Sequence, residues 1–547
     1  MGIGAVDDYN RCGSHALLRD NALDSAANQS TSLRERPGGY DYGDRALVCH
    51  SAEDLTVELD ALTLPDGVQF DADVCIVGAG PAGLALACEL ARLDATVIIL
   101  ESGGLTPDRD AQELNEGDTL GDAYAGLRAT RNRRVGGSTT LWNTPFGNGV
   151  GAKYMPLDAW DFEEWPFDLS HVLPFYHRAQ VVCGLGTFAY DADAWGDESR
   201  PLLNLPRDLL ATRVYQLGCE SAFSQGSMEP LRGRNIRLCR HATAVELTMD
   251  GARAVRAVHA SNPRGNHIRV TPKFVVLAGG AIENARLLLV SGSGERSALG
   301  NGSDWVGRGF MEHPRDYSLR LIPRSGDLFR NAAFYDFHAA RDGTIVGGRI
   351  ALEEHAIRTK RIPNASVTLL PRLRKLPALA RRLTGRGPDG GYGWSRVRRP
   401  NLVFDGFRLV VNIEQRPNAE NRVVLSRVKD ALGVPRPALH WRWCDEEQAG
   451  LDRLRECLAS WLEEAEVGRL VITPGTRPDP NAHHHAGTTR MHVSPQHGVV
   501  DANARVHGVE NLYIAGASVF PTAGVANPTL TIVALSLRLA DHLGQRL

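Results

Sequence analysis

Val74-Cys75-Ile76-Val77-Gly78-Ala79-Gly80-Pro81-Ala82-Gly83 is the stretch on which the reading of the chain turns. Four apolar residues after Asp73 predict a short buried strand. It runs straight into a glycine turn, and the apolar residues Leu84 to Leu93 then predict a helix. Gly78 permits the tight turn, Gly80 lets backbone approach a pyrophosphate, and Gly83 allows the helix to pack closely on the sheet. The helix N-terminus is the natural seat for the phosphates. A second apolar strand, Ala95 to Leu100, ends in Glu101, about twenty residues on, where an acidic residue takes a ribose hydroxyl. A lone glycine triplet is as often an ordinary turn; with both strands and the acid it is a complete dinucleotide-binding βαβ unit.

Length and composition agree with a large globular enzyme. The 547 residues exceed what one hydrophobic core usually organises, so two intertwined domains are expected. With 43% hydrophobic residues, 23% charged residues and a net charge of -3, nothing in the balance calls for a nucleic-acid partner. Nine cysteines, among them Cys12, Cys49, Cys75, Cys183 and Cys457, are scattered without C-x-x-C spacing, which indicates neither a disulfide framework nor a zinc site. The first thirty residues are polar and carry Asp7, Asp8, Arg11, Arg19 and Asp20, so a cytoplasmic location is expected. No apolar run is long enough to span a bilayer; Leu530 to Ala540, interrupted by Ser536 and Arg538, reads as a core helix.

Further segments carry chemistry. Arg134-Val135-Gly136-Gly137-Ser138-Thr139-Thr140-Leu141-Trp142-Asn143 is glycine-rich, and its backbone could lie against a flat ring. Phe274 to Ala281, with Asn284 and Arg286 after it, reads as another strand, glycine turn and helix. Gly307-Arg308-Gly309-Phe310-Met311-Glu312-His313-Pro314 follows. Near the end come His484-His485-Ala486-Gly487-Thr488-Thr489-Arg490-Met491, Asn511 to Pro521, and Asn527-Pro528-Thr529. In this order and spacing the motifs resemble the glucose-methanol-choline (GMC) oxidoreductase family from about residue 70 to the C-terminus. Within it, the chain looks most like the compact sugar- and polyol-oxidising branch of pyranose oxidases and fructose and gluconate dehydrogenases.

The resemblance implies an α/β fold, α+β overall: a Rossmann-like FAD-binding domain built from discontinuous pieces, with an inserted antiparallel-sheet substrate domain. The flavin pieces are expected at 71–150, 232–320 and 480–547, the substrate domain at 151–231 and 321–479, and residues 1–70 form an N-terminal extension with no assigned function. Leu402-Val403-Phe404, Phe407 to Ile413 and Arg422 to Leu425 read as strands of a sheet over the flavin face. The implied activity is FAD-dependent oxidation of a carbinol carbon, by hydride transfer to flavin N5, on a sugar, cyclitol or glycoside. The hydroxyl proton needs a base, and a histidine titrates in the right range. The family's H-x-x-G-T base falls on His484, and its second polar position falls on Asn527, whose amide would orient the substrate oxygen. Contacts to the cofactor are implied at Gly78, Gly80, Gly83, Glu101, Gly136, Gly137, Ser138, Asn143, Gly516 and Ala517. Asn143 would lie near the flavin N5 edge or simply cap its loop. Leu141 stands where some relatives attach the flavin through a histidine, so noncovalent FAD is expected. The electron acceptor, oxygen or an external partner, is left open.

Three consecutive histidines invite a metal, but adjacent side chains on extended backbone face opposite ways and no acid or cysteine flanks them, so no metal site is expected. His313, beside Pro314, reads as a structural loop histidine outside the site. Between Arg372 and Arg399 nine basic residues meet a single Asp389, which reads as a solvated insertion or, more specifically, a lid or a docking surface for an anionic partner. Two other functions compete: a protein of the same fold with lyase or decarboxylase chemistry, and a non-catalytic flavin-binding subunit.

Overall fold

The computed structural model describes residues 57–547 apart from 142–144, 147–148, 151, 197–198, 219–222, 224–234, 252, 292–298 and 375–391. Its first layer is an eight-stranded sheet. Strand Val68–Val77 lies between Val97–Leu100 and His267–Leu277, parallel to both, with Val74 opposite Val97 and Phe274. All four residues of Val97–Leu100 are buried, as expected of a parallel strand covered on both faces. Outside it run Ile236–Arg240 and then Val57–Asp60, both parallel. The long strand His267–Leu277 shares its other edge between Ala254–Ser261, antiparallel to its first half, and Leu512–Ile514, parallel to its second. Helices Pro81–Ala91 and Thr529–Gly544 pack on each other, and the latter buries eleven of its residues. Leu530 to Ala540 is thus the expected core helix. Among the described residues no helix is long and apolar enough to cross a membrane.

The N-terminal boundary lies earlier than residue 70. Val57–Asp60 is a strand of the nucleotide sheet, and Val68–Val77 begins six residues before the apolar run that announced it. Those early residues alternate in burial, so they carry no continuous apolar signal.

The second layer is an eight-stranded antiparallel sheet with the path Gly468–Ile472, Arg315–Pro323, Phe404–Ile413, Ala365–Leu373, Ile345–Leu352, Leu210–Leu217, Lys153–Tyr154; His338–Ala339 pairs on Ile345–Leu352. Strand Arg315–Pro323 belongs here, so the flavin piece expected to end at 320 gives up its last residues to this layer. Leu402 and Val403 are not strand. Pro400 opens a helical turn, Pro400–Val403, and the strand starts at Phe404, consistent with the preference of proline for the first helical position. Arg422 to Leu425 does form a strand, but in a separate three-stranded sheet with Pro435–Trp441 and Asp118–Gly121.

The carboxyl ends of the parallel strands open on one side, where ligands of such sheets collect. Gly78 N–H bonds the Leu100 carbonyl at 2.8 Å, Ala278 N–H that of Val77 at 2.8 Å, and Ala515 N–H that of Leu277 at 2.8 Å. Three chain segments are thereby held at the mouth of one cleft.

Candidate active site

The cleft has a water-accessible volume of about 490 Å³. It runs from Glu101 and the first glycine turn to His484 and Asn527. At the nucleotide end the three glycines do different work. A Cβ on Gly83 would stand 2.0 Å from the Gly78 carbonyl oxygen, and one on Gly78, at φ +108°, would stand 2.7 Å from that of Ala278. A Cβ on Gly80 would meet no protein atom within 4 Å. The first two glycines are therefore required by the fold, whereas the space beside Gly80 belongs to the cleft. Gly280, at the second turn, is equally open. Glu101 is buried, its Oε2 accepting from Ala79 N at 2.8 Å and its Oε1 from Gly103 N at 3.0 Å. Burial pushes its pKa up against these two bonds.

The segment Gly136-Gly137-Ser138 lies against this turn: a Cβ on Gly137 would come within 3.1 Å of Gly80 Cα. Ser138 Oγ accepts from Asn132 N at 3.3 Å. Gly137, Ser138, Gly516 and Ala517 line the cleft; Gly136 sits behind, its N–H on the Ala79 carbonyl at 2.8 Å. Asn143 lies outside the described residues, and Leu141, half exposed, lines the cleft. The glycine turns, the acid at the strand end and the open space beside Gly80 together fit an adenine dinucleotide such as FAD.

At the other end His484 sits between two partners. Its Nε2 is 3.2 Å from Asn527 Nδ2 and its Nδ1 is 2.8 Å from His313 Nδ1. An amide nitrogen only donates, so in this arrangement Nε2 accepts and the ring proton sits on Nδ1, donated to His313. Burial, then His313 and Arg315, hold the His484 pKa well below its ordinary value, so the ring is neutral with Nε2 free to take a proton. His313, read from sequence as a loop residue, is part of the site. It is 1% exposed, and burial lowers its pKa to about 4.

Glu312 underlies this pair. Its Oε2 accepts from the backbone N–H of His484 at 3.0 Å and of His313 at 3.1 Å, while Oε1 accepts from Tyr124 Oη at 2.5 Å. Fully buried, it has a pKa raised to about 7. Tyr124 Oη also lies 3.0 Å from His485 Nε2. The histidine run thus divides as alternation requires: His484 faces Asn527, and His483 and His485 turn the other way. Contrary to the expectation that no acid would join them, Glu312 does, and one ligand atom from each of Glu312, His483 and His485 falls within 4.8 Å of the others. The trio is a donor set that suits a divalent ion, and Tyr124 also ties two of its members by hydrogen bonds.

The loop carrying Asn527 is held by two buried acids. Glu414 Oε1 accepts from Gly524 N at 2.8 Å and Ala523 N at 3.2 Å, and Asn364 Nδ2 lies between Glu414 Oε2 at 3.2 Å and Asp161 Oδ1 at 3.4 Å. Burial pushes both carboxyls up, and the neighbouring Glu414 raises Asp161 further, which favours a shared proton. On the cofactor side, Glu283 is gripped by Arg131 at 2.8 Å, Arg133 at 2.7 Å and Arg286 at 3.2 Å, and Arg286 also holds Asp430 at 2.6 Å. Apart from Arg286, noted only as following the second turn, none of these charged groups carried a sequence signal, because most of their partners, such as Arg131 for Glu283 and Asp430 for Arg286, lie more than a hundred residues away.

A dinucleotide cleft that meets a buried histidine and an amide defines the class: an oxidoreductase of the flavoprotein fold. Residues 216–315 and 417–536 match the N-terminal and C-terminal models of the GMC oxidoreductases. It is similar to the paromamine 6'-oxidase of Streptomyces fradiae, 26% identical over 86% of this chain and 90% of that protein. It is 28% identical to the fructose dehydrogenase large subunit of Gluconobacter japonicus over 55% of this chain, a match spanning 52% of that protein. The solved structure of pyridoxine 4-oxidase from Mesorbium loti superposes with a TM-score of 0.52 at 18% identity, covering 86% of this chain and 99% of that one.

Proposed function

We propose that the chain is an FAD-dependent oxidoreductase that oxidises a carbinol carbon to a carbonyl, with His484 as base and Asn527 as the orienting amide. The observation that carries this reading is the pairing of His484 Nε2 with Asn527 Nδ2 at 3.2 Å on the wall of the cleft that begins at the glycine turn. FAD, when bound, supplies the hydride acceptor. Glu101 and the turn at Gly78 and Gly80 would hold its ribose and pyrophosphate, and Gly136, Gly137, Ser138, Gly516 and Ala517 would bear on the rest. Leu141 is the reason to expect noncovalent attachment. The flavin domain would comprise 57–150, 232–314 and 480–547.

A substrate hydroxyl placed between His484 and Asn527 would give its proton to Nε2 while Asn527 holds the oxygen. His313 accepts the Nδ1 proton and so keeps Nε2 unprotonated and aimed at the cleft. Glu312, bonded to the backbone of both histidines, fixes their spacing. The relatives' names, paromamine 6'-oxidase, fructose dehydrogenase and C-glycoside 3-oxidase, favour a sugar, cyclitol or glycoside. Anaerobic reduction of the flavin by an alcohol deuterated at the carbinol carbon tests the step. A primary isotope effect is expected; a flavin that dithionite reduces but no alcohol reduces would move the reading to the lyase or decarboxylase alternative.

A further inference from the structure

Two cations, Lys153 and Arg315, stand at the substrate end of the cleft, and a third, Arg349, is buried behind them. Lys153 and Arg315 line it together with His484 and Asn527. Lys153 Nζ donates to Tyr392 Oη at 2.5 Å and lies 5.6 Å from the Phe337 ring centroid. Arg349, 2% exposed, packs on the same Phe337 ring, its guanidinium carbon 5.0 Å from that centroid and 5.4 Å from the Tyr215 centroid. Its Nη1 donates to the Gly348 carbonyl at 2.6 Å, and its Nη2 is buried with no partner. Arg315 donates Nε to Asn412 at 3.3 Å. Among the described residues, no carboxylate oxygen lies within 4 Å of any of the three, whereas elsewhere Glu283, Asp316 and Asp430 are each paired with arginine.

Buried charge is normally matched, because removing an ion from water without a counter-ion is costly. Glu312 reaches Arg315 only over a longer distance; among the described residues, the acidic group hydrogen-bonded to the cluster is the Tyr392 phenol. Burial would raise its pKa, but Lys153 and Arg349 pull it below its ordinary value. One phenol cannot balance three cations. The cluster is also tied to the reacting end: Tyr215 Oη donates to the Val525 carbonyl at 3.1 Å, two residues before Asn527.

Building on the proposed function, we infer that the substrate is an anionic carbinol, a hydroxylated compound whose skeleton carries a carboxylate or phosphate. Lys153 and Arg315 on the cleft wall, backed by the charge of buried Arg349, hold the anion while the hydroxyl is presented to His484. A planar guanidinium with a free Nη2 suits either oxyanion. The aromatic faces of Phe337, Tyr392 and Tyr215 pack around the cations and keep water from them.

The test compares charged compounds with uncharged counterparts of similar shape on the flavin-loaded protein: D-glucuronate against D-glucuronamide, D-glucose 6-phosphate against D-glucose, and D-glycerate against glyceramide. Binding is read from perturbation of the flavin spectrum or by calorimetry, and anaerobic flavin bleaching is followed separately. At least one anion should bind about tenfold or more tightly than its neutral partner, with the advantage shrinking in salt. The pair that shows it separates carboxylate from phosphate. Arg349→Met should erase the preference and Arg349→Lys retain part of it; if neither folds, the wild-type comparison decides alone. No pair favouring the anion by more than about threefold would overturn the inference. Neutral alcohols that bleach the flavin in a His484-dependent way, with no anion preferred, would sink this inference and leave the oxidoreductase reading standing. Anions that bind selectively while no alcohol bleaches would do the reverse.

Discussion

His484 owes its neutral ring to burial, and the direction of its remaining proton to His313. That makes His313 a positioning residue. Replacing it with alanine leaves Nδ1 of His484 without an acceptor and frees the ring to change tautomer. His313→Ala is expected to lower kcat by about tenfold to a hundredfold with a smaller change in KM, and His313→Asn, whose amide oxygen can accept, to recover part of the loss. Rapid-reaction measurement of flavin reduction checks both; equal losses in the two variants would point to packing rather than proton orientation. His484 and Asn527, which the structure brings within 3.2 Å of each other, could be picked out because they lie in motifs with fixed local spacing. His313 was misjudged because its neighbour Pro314 suggested a loop, and nothing local records a partner 171 positions away.

At the scale of elements, the glycine turn and its helix make separable predictions. Gly80→Ala adds a methyl group to open space, so the variant should fold with nearly unchanged Tm and retain less FAD after gel filtration. Gly83→Ala drives a carbon to 2.0 Å from a backbone oxygen and is expected to destabilise by about 3 kcal/mol or more, seen as a fall in Tm even without cofactor. The Glu283 carboxylate ties helix Gly280–Val290 to the loop holding Arg131 and Arg133. Glu283→Ala should cost about 3–5 kcal/mol, since it leaves buried guanidinium groups uncompensated; denaturant titration measures it. The βαβ unit could be read because strand, turn and helix are each encoded by adjacent residues. Leu402-Val403 could not: an apolar run before Phe404 looks like strand, and the helix-starting effect of Pro400 outweighs it. Arg422 to Leu425 was rightly a strand but joined another sheet, because pairing partners such as Asp118–Gly121 lie beyond any local pattern.

For the whole molecule, the buried polar centre links stability to pH. Glu312 has a folded pKa of about 7 against an ordinary 4.5. The folded state therefore binds the extra proton, and the stability this group contributes is full below pH 4.5 and is lost as pH rises through 7. Glu312→Gln removes that dependence while keeping an acceptor for the two histidine N–H groups. The variant should gain on the wild type steadily between pH 4.5 and 7, by a total on the order of 3 kcal/mol, and hold that advantage above. Chemical denaturation across the window would show a flat difference if Glu312 were ionised throughout. The account rests on what the mixed first sheet and the antiparallel second sheet would bring together: a proposed flavin beside the glycine turn and His484 at the other end of the cleft. The most direct test is anaerobic mixing of the flavin-loaded protein with a panel of sugars, sugar acids, cyclitols and simple alcohols, with His484→Ala in parallel. The account predicts that one substrate class bleaches the wild-type flavin and that the variant, still reducible by dithionite, bleaches at least about a hundredfold more slowly. Equal bleaching in both proteins, or none in a wild-type flavin that dithionite reduces normally, would contradict it.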